Sequence, residues 1–296
     1  MRVMTRGDLD GLASLVLLTL VEDIGEIVFA HPKDVQDGLV PAGPEDIVVN
    51  LPYVKGCGMW FDHHISEDEK QAEMGPFKGA FAVAPSTARV IHDHFKSPAF
   101  APYRTMIEET DRLDAAQLTM ADVTAPKGWI LLGLTLDPRS GFGPEFQKYF
   151  RWLVEYVKEL PIEKVLEHAE VRKRCQRVVS EQEAFKAVLK AHARLDGTVI
   201  LTDLRGVDMR SQPVGNRFLV FTVFPKGTVE IRIFKGKQGN TVLAVGHSIF
   251  NRTCTVNVGE LMAKYGGGGH RGAGTCQVEA ARAETVLAEI IRTLKQ

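Results

Sequence analysis

Strand-like and helical segments alternate through the first half of the chain, and this alternation constrains the fold more than any other feature of the sequence. Residues 1–5 (MRVMT) and 26–31 (EIVFAH) predict strands, and residues 10–24 (DGLASLVLLTLVEDI) between them predict a helix. Two further strands are predicted at 46–52 (DIVVNLP) and 58–64 (GMWFDHH). Strands that alternate with helices form a mostly parallel sheet covered by helices, so we expect an α/β fold.

The second half of the chain has a different pattern of predicted helices and strands. A long, charged, helical stretch runs from 161 to about 195 and ends at Asp196-Gly197, a typical helix stop. Strand-like segments follow, including 217–225 (RFLVFTVFP), together with two short helical patterns and a run of glycines. We therefore predict three parts. These are an N-terminal α/β domain at 1–155, a helical connector at 156–196 and a smaller α/β domain at 197–296.

Composition and charge narrow the class of protein. The 296 residues are 45% hydrophobic and 25% charged, with a net charge of −1, as in a globular domain. The four cysteines form no CxxC pair, which argues against a structural zinc site or a disulfide framework. The apolar run at 12–21 is too short to span a membrane, and no basic leader precedes it. We expect a cytoplasmic protein that has no membrane partner.

Polar side chains gather where the predicted strands end. Asp8 and Asp10 follow the first strand, and Asn50 lies near the end of the third. The fourth strand runs into Asp62, His63 and His64. Ligands of parallel sheets bind at the carboxyl ends of the strands, so these residues are predicted to form one site. Imidazole and carboxylate groups together are typical ligands of Mn, Fe, Co or Zn. Neighbouring side chains on an extended backbone point opposite ways, which predicts different roles for His63 and His64.

The stretch 265–276 (YGGGGHRGAGTC) is the second chemical signal. Consecutive glycines leave backbone amides accessible, and such amides can close around an anion. His270 and Arg271 add further donors, and arginine suits phosphate. The pattern predicts a phosphate-binding loop.

Three motifs together resemble the DHH phosphoesterase superfamily. They are "DLDG" at 8–11, "DHH" at 62–64 and "GGGGHRGAG" at 266–274, in the order that the family has them. The resemblance covers nearly the whole chain and is strongest to exopolyphosphatase-like and oligonucleotide-degrading members that carry an associated C-terminal domain. It implies a DHH-type catalytic and metal-binding domain at 1–155 and a substrate-binding domain at 197–296, with the active site in the cleft between them.

The resemblance also implies a mechanism in which two divalent cations activate a water that attacks phosphorus. Manganese is the usual metal, with magnesium or cobalt as alternatives. The implied metal ligands are Asp8, Asp10, His63 and Asp111, with Asp114 as the alternative to Asp111. His64 would face the phosphate. The implied substrate-binding residues are Arg252, Gly267, Gly268, Gly269 and His270.

The chain departs from the family pattern at two positions. Arg6 stands where the family has a histidine, and Asn50 stands where it has an aspartate that bridges both metals. An arginine stays protonated and cannot ligate a metal. We hypothesise that Arg6 replaces the first cation, so that the site holds one metal and Arg6, Asn50 and His64 act as catalytic residues.

These features predict a metal-dependent hydrolase of a phosphate ester or phosphoanhydride. The substrate would be polyphosphate, a short oligonucleotide or another small phosphorylated molecule. The alternative is a catalytically silent protein on the same fold that binds a phosphorylated ligand or nucleic acid, and a homodimer is left open.

Overall fold

A computed structural model describes residues 1–68, 74, 76–136, 142–208, 215–236 and 239–296. The chain forms two compact units. The first contains residues 1–117 and 126–176, and the second contains residues 118–125 and 177–296. The division therefore falls inside the predicted helical connector, and a short segment, 118–125, belongs to the second unit.

The strands, in chain order, are β1 (Arg2–Thr5), β2 (Glu26–Phe29), β3 (Asp46–Val49), β4 (Met59–Asp62), β5 (Gly79–Phe81), β6 (Ala193–Asp196), β7 (Val199–Asp203), β8 (Val229–Lys235), β9 (Thr241–His247), β10 (Gly268–His270) and β11 (Ala273–Val278). The helices are α1 (Leu9–Leu18), α2 (Pro32–Gln36), α3 (Ile65–Asp68), α4 (Thr87–Phe95), α5 (Arg104–Asp114), α6 (Met120–Thr124), α7 (Gly128–Leu134), α8 (Pro144–Glu159), α9 (Ile162–Glu167), α10 (Ala169–His192), α11 (Leu219–Val223), α12 (Val258–Ala263) and α13 (Ala283–Leu294). Residues Pro98–Tyr103 and Ala280–Arg282 form 3-10 turns.

The first unit has a five-stranded sheet in the order β2-β1-β3-β4-β5, and every neighbouring pair is parallel. This confirms the predicted α/β fold. All ten residues of α1 are buried, as expected of a helix that is apolar on every side. Helix α1 packs against α4, α5 and α8, and this packing holds the loop before it against the carboxyl end of the sheet.

The second unit has a six-stranded mixed sheet in the order β10-β11-β9-β8-β7-β6. Strands β7 and β8 pair in parallel, and the other neighbouring pairs are antiparallel. Its core contains apolar residues of β7, β8 and β9 together with α12 and α13. This confirms the predicted smaller α/β part.

One predicted strand is a helix. Residues 217–225 read as a strand because aromatic and β-branched residues dominate them, but Leu219–Val223 form α11. Leu219, Val220 and Phe221 are buried consecutively, which packing in a helix allows and strand alternation does not. The predicted long helix also divides, into α9 and α10.

Within the part of the chain that the structure describes, no helix has the length and apolar character needed to cross a membrane.

Candidate active site

The acids and histidines predicted from the strand ends lie at one edge of the first sheet. Strand β1 lies beside β3, and β3 lies beside β4. The residues that follow these strands therefore meet at the carboxyl edge, as expected for a parallel sheet.

Asp8 is surrounded by donors from the chain itself. It caps α1, and its Oδ1 accepts hydrogen bonds from the backbone N–H of Gly11 at 3.0 Å and from Nδ2 of Asn50 at 2.9 Å. The Nε of Arg6 lies 3.0 Å from Oδ2 in an ion pair that lacks hydrogen-bond alignment. Burial raises the pKa of Asp8, although the charge of Arg6 opposes that shift. Asp8 is therefore held by an arginine and an amide.

The backbone at this site is tightly constrained. A Cβ on Gly11 would lie 2.0 Å from the carbonyl oxygen of Arg6, so this position requires glycine. Asn50 has a φ of +55° and is 2% exposed. Asparagine is one of the few residues other than glycine that adopt this left-handed conformation readily. The turn therefore fixes the amide of Asn50 beside Asp8.

Asp10 is held by the start of α4. Its Oδ2 accepts from the backbone N–H of Thr87 and its Oδ1 from that of Ala88, both at 2.9 Å. Burial, and then the charge of Asp114, raise the pKa of Asp10 to about 7. The carboxylate is oriented by two amides, and its charged form is disfavoured where no cation is bound.

His63 faces two carboxylates. Its Nε2 lies 3.0 Å from Oδ2 of Asp114 and 3.8 Å from Oδ2 of Asp10. Its Nδ1 lies 2.9 Å from the carbonyl oxygen of Ala84, which can only accept, so Nδ1 carries a proton. Burial lowers the pKa of His63, but Asp114 and Asp10 outweigh burial and raise it to about 10.

Asp10, His63 and Asp114, the Asp–His–Asp group, suit a divalent cation. Their ligand atoms all lie within 4.8 Å of one another. The Nε2 of His63 is buried and has no aligned hydrogen-bond partner, as expected of an atom that points at a metal site. A histidine that ligates metal through Nε2 commonly donates its Nδ1–H to a backbone carbonyl, as His63 does. The donor set therefore fits a divalent metal.

The structure brings Asp114, and not Asp111, into this group. Asp111 accepts from Oγ of Ser86 at 2.6 Å and from Nε and Nη2 of Arg89 at 3.0 and 2.6 Å. Its two oxygens are thus occupied by protein donors. The preference for Asp111 over Asp114 in the sequence therefore does not match the geometry, because the two residues lie one turn apart on α5 and have different neighbours.

His64 lies beside His63, with the two ring centroids 4.3 Å apart, and pairs with Asp62. Its Nδ1 lies 2.8 Å from Oδ1 of Asp62, which is fully buried, while the His64 side chain is 39% exposed. Burial lowers the pKa of His64, but the hydrogen bond to Asp62 outweighs it and the pKa is raised. The two adjacent histidines thus have different surroundings.

In the second unit, the latter part of the glycine run forms a strand. Residues 268–270 form β10 and pair with β11 in antiparallel register. A Cβ on Gly269 would lie 2.2 Å from the carbonyl oxygen of Ala273, so close pairing explains this glycine. Gly267, Gly268 and His270 are exposed, and so is Arg252, whose Nε donates to the carbonyl oxygen of Ile249.

Sequence reasoning missed three groups near these sites. Ser86 and Arg89 donate hydrogen bonds to Asp111, and neither residue belongs to a recognisable sequence motif. His247 lies near His270 and Arg271, and burial and their charges lower its pKa.

Comparison with solved structures identifies the family. The chain is 35% identical to a pGpG-specific phosphodiesterase, PggH, from Vibrio cholerae. The match covers 99% of this chain and 98% of that one, with a TM-score of 0.82. The chain belongs to the DHH phosphoesterase superfamily. As a DHH protein it is a hydrolase that acts on phosphate esters.

Two more distant structures share the fold of this DHH protein. An exopolyphosphatase-related protein from Bacteroides fragilis is 11% identical, with a TM-score of 0.51 and coverage of 99% of this chain and 92% of that one. RecJ from Thermus thermophilus, in complex with Mn2+, is 14% identical, with a TM-score of 0.50 and coverage of 97% and 51%. Scans against protein-family models and against curated proteins found no match.

Proposed function

We propose that this DHH protein hydrolyses the phosphodiester bond of short oligonucleotides of the pGpG kind, with one divalent cation. The observation that carries the proposal is the 35% identity to a pGpG-specific phosphodiesterase along nearly the full length of both chains. In this reaction water attacks phosphorus, the bond from phosphorus to the 3′ oxygen breaks, and that oxygen takes a proton. One pGpG gives two molecules of GMP.

The Asp–His–Asp group would hold the cation. When bound, a divalent cation polarises a phosphoryl oxygen and lowers the pKa of a water molecule. We propose manganese because the RecJ structure that shares this fold was obtained with Mn2+. His63 must lose its Nε2 proton to act as a ligand, while its Nδ1–H keeps the ring oriented through Ala84.

We propose one cation because Asp8 already has protein partners. Arg6, the Nδ2 amide of Asn50 and the backbone amide of Gly11 lie around its carboxylate, and N–H groups do not ligate a metal. The guanidinium of Arg6 places a fixed positive charge there and has further N–H donors for a phosphate oxygen. Asn50 holds Asp8 in place, and His64, oriented by Asp62, donates to the phosphate.

The second unit would bind the part of the substrate that does not react. Arg252, His270 and the nearby Arg271 supply donors for a phosphate, and the exposed backbone of 268–269 lies next to His270. This assignment predicts that the Arg252→Ala variant raises KM and leaves kcat nearly unchanged, because binding is lost equally in the ground state and the transition state.

The test is product analysis with purified protein and Mn2+. Substrates are pGpG, pApA, a 20-nucleotide RNA and polyphosphate, and products are separated by chromatography. We expect GMP from pGpG, no activity in Asp114→Asn, and normal activity in Glu108→Gln, a control on the exposed side of the same helix. Release of orthophosphate from polyphosphate without cleavage of either dinucleotide would contradict the proposal.

A further inference from the structure

The carboxylate of Asp10 takes its orientation from the first turn of α4. Each of its oxygens accepts one backbone N–H, from Thr87 and Ala88, at 2.9 Å. Asp10 is 2% exposed, so no water competes freely for these bonds. Any displacement of the first turn of α4 therefore moves one side of the Asp–His–Asp group.

A closed set of hydrogen bonds fixes that first turn. Ser86 caps α4, and its Oγ accepts from the backbone N–H of Arg89 at 3.0 Å. The same hydroxyl donates to Oδ1 of Asp111 at 2.6 Å, and a hydroxyl can accept and donate at the same time. The side chain of Arg89 returns to Asp111 through Nε and Nη2, both bonded to Oδ2.

These bonds are short, charge-assisted and shielded from water. Ser86 is fully buried, and the side chains of Asp111 and Arg89 are 14% and 28% exposed. Hydrogen bonds to ionised groups are stronger than neutral ones, and two parallel N–H bonds from one guanidinium fix its angle. The set ties α5 to the start of α4, and α5 also carries Asp114. One helix thus supplies one member of the Asp–His–Asp group directly and secures the other through α4.

We infer that Asp111 is a positioning residue that acts through Ser86 and the first turn of α4 on Asp10. It holds no metal itself. This inference rests on the proposed function in one respect, namely that Asp10 binds the cation. Weakening the set lets Asp10 turn or shift, so metal affinity and kcat fall, while the number of bound ions and KM stay the same.

Two substitutions remove different links of the set. Asp111→Asn keeps the shape but removes the negative charge to which Ser86 and Arg89 donate, so the charge-assisted hydrogen bonds of the set are weakened. Ser86→Gly removes the hydroxyl, while glycine still serves as an N-cap and lets α4 form. The full-length double variant Asp111→Asn/Ser86→Gly completes a double-mutant cycle, which shows whether the effects of the two substitutions are independent. Asp114→Asn and Glu108→Gln serve as controls.

The experiment measures Mn2+ binding to each variant by titration calorimetry, together with kcat and KM on pGpG. We expect each single variant to bind one ion about 10- to 100-fold more weakly than wild type, as is typical when a partner of a metal ligand is lost. The double variant should bind no more weakly than the worse single variant, because both act through one route. Glu108→Gln should match wild type, and Asp114→Asn should lose the ion.

Three results would overturn the inference. Loss of the ion in Asp111→Asn, as in Asp114→Asn, would make Asp111 a ligand. If the losses of Mn2+ affinity in the two single variants multiplied in the double variant, Asp111 and Ser86 would act on Asp10 independently. If Mn2+ affinity were unchanged and only the Tm fell, Asp111 would have a purely structural role. If the wild type itself took up no Mn2+, the proposed function would fail and this inference with it.

Discussion

Replacing Asn50 by aspartate tests how charge is arranged around Asp8. The amide Nδ2 of Asn50 donates to Oδ1 of Asp8 at 2.9 Å, and the residue is 2% exposed with a φ of +55°. Aspartate also adopts this backbone conformation more readily than most residues, so Asn50→Asp changes charge with little backbone strain. Asn50→Gly is the matched control because it removes the hydrogen bond, adds no charge and is free at positive φ.

The expected cost follows from these contacts. Loss of a hydrogen bond to a charged acceptor costs about 1.5–3 kcal/mol, so we expect this loss of unfolding free energy for Asn50→Gly at any pH between 5.5 and 8. Asn50→Asp also brings two carboxylates within about 4 Å, which at an effective dielectric constant of 20 costs about 4 kcal/mol when both are charged. The new carboxyl therefore has a folded-state pKa above its unfolded value. The loss of unfolding free energy caused by this carboxyl grows as pH rises, by about 1.4 kcal/mol per pH unit, until it reaches the full repulsion of about 4 kcal/mol between the two charged carboxylates.

The assay is urea denaturation of metal-free protein at pH 5.5 and pH 8. We expect the difference in unfolding free energy between Asn50→Gly and Asn50→Asp to increase by about 2 kcal/mol from the lower to the higher pH. Equal stability of the two variants at pH 8 would refute the reasoning, because it would mean that no buried carboxylate lies close to position 50.

Four further outcomes follow from the same structure. Affinity for Mn2+ should rise about tenfold per pH unit between pH 7 and 10, and more steeply below pH 7. The reason is that the cation must displace the protons of His63, whose pKa is about 10, and of Asp10, whose pKa is about 7. An affinity that does not change with pH in calorimetry would contradict this prediction. Chelation followed by dialysis should abolish hydrolysis of pGpG, and added Mn2+ should restore it; activity that persists in the metal-free protein would be inconsistent with the proposal. His63→Ala should abolish both metal binding and turnover, whereas a variant that still binds one ion would remove His63 from the ligand set. Gly269→Ala should lower the unfolding free energy by about 1–3 kcal/mol in denaturation, because its Cβ would meet the carbonyl oxygen of Ala273 at 2.2 Å; unchanged stability would speak against the close β10–β11 pairing.

The fold and the three strand-end clusters could be predicted because they depend on local patterns. Strand and helix periods differ, and the ends of parallel strands meet at one edge whatever the detailed packing. Asp8, Asp10 and His63 therefore lie where the sequence indicated, beside one another at the carboxyl edge.

Asp111 and Asp114 could not be separated by sequence. They lie three residues apart on α5 and so share a face of the helix. Which one reaches His63 depends on the position of Ser86 and Arg89 on a different helix. That information is tertiary, and spacing along the chain does not contain it.

The secondary structure that sequence did not predict in the second unit has a similar origin. Residues 217–225 are rich in residues that favour strands, yet consecutive burial places Leu219–Val223 in a helix. The glycine run carries almost no propensity of its own, and pairing with residues 273–278 makes part of it a strand. Short apolar or glycine-rich segments take their structure from their neighbours.

The most direct test of the central claim, that Arg6 takes the place of a second cation, is the manganese content of the wild-type protein. Full-length protein is saturated with Mn2+, passed through a desalting column and measured by elemental analysis beside Arg6→His/Asn50→Asp. The account predicts one ion per chain in the wild type and two in the double variant. Two ions per chain in the wild type would contradict it.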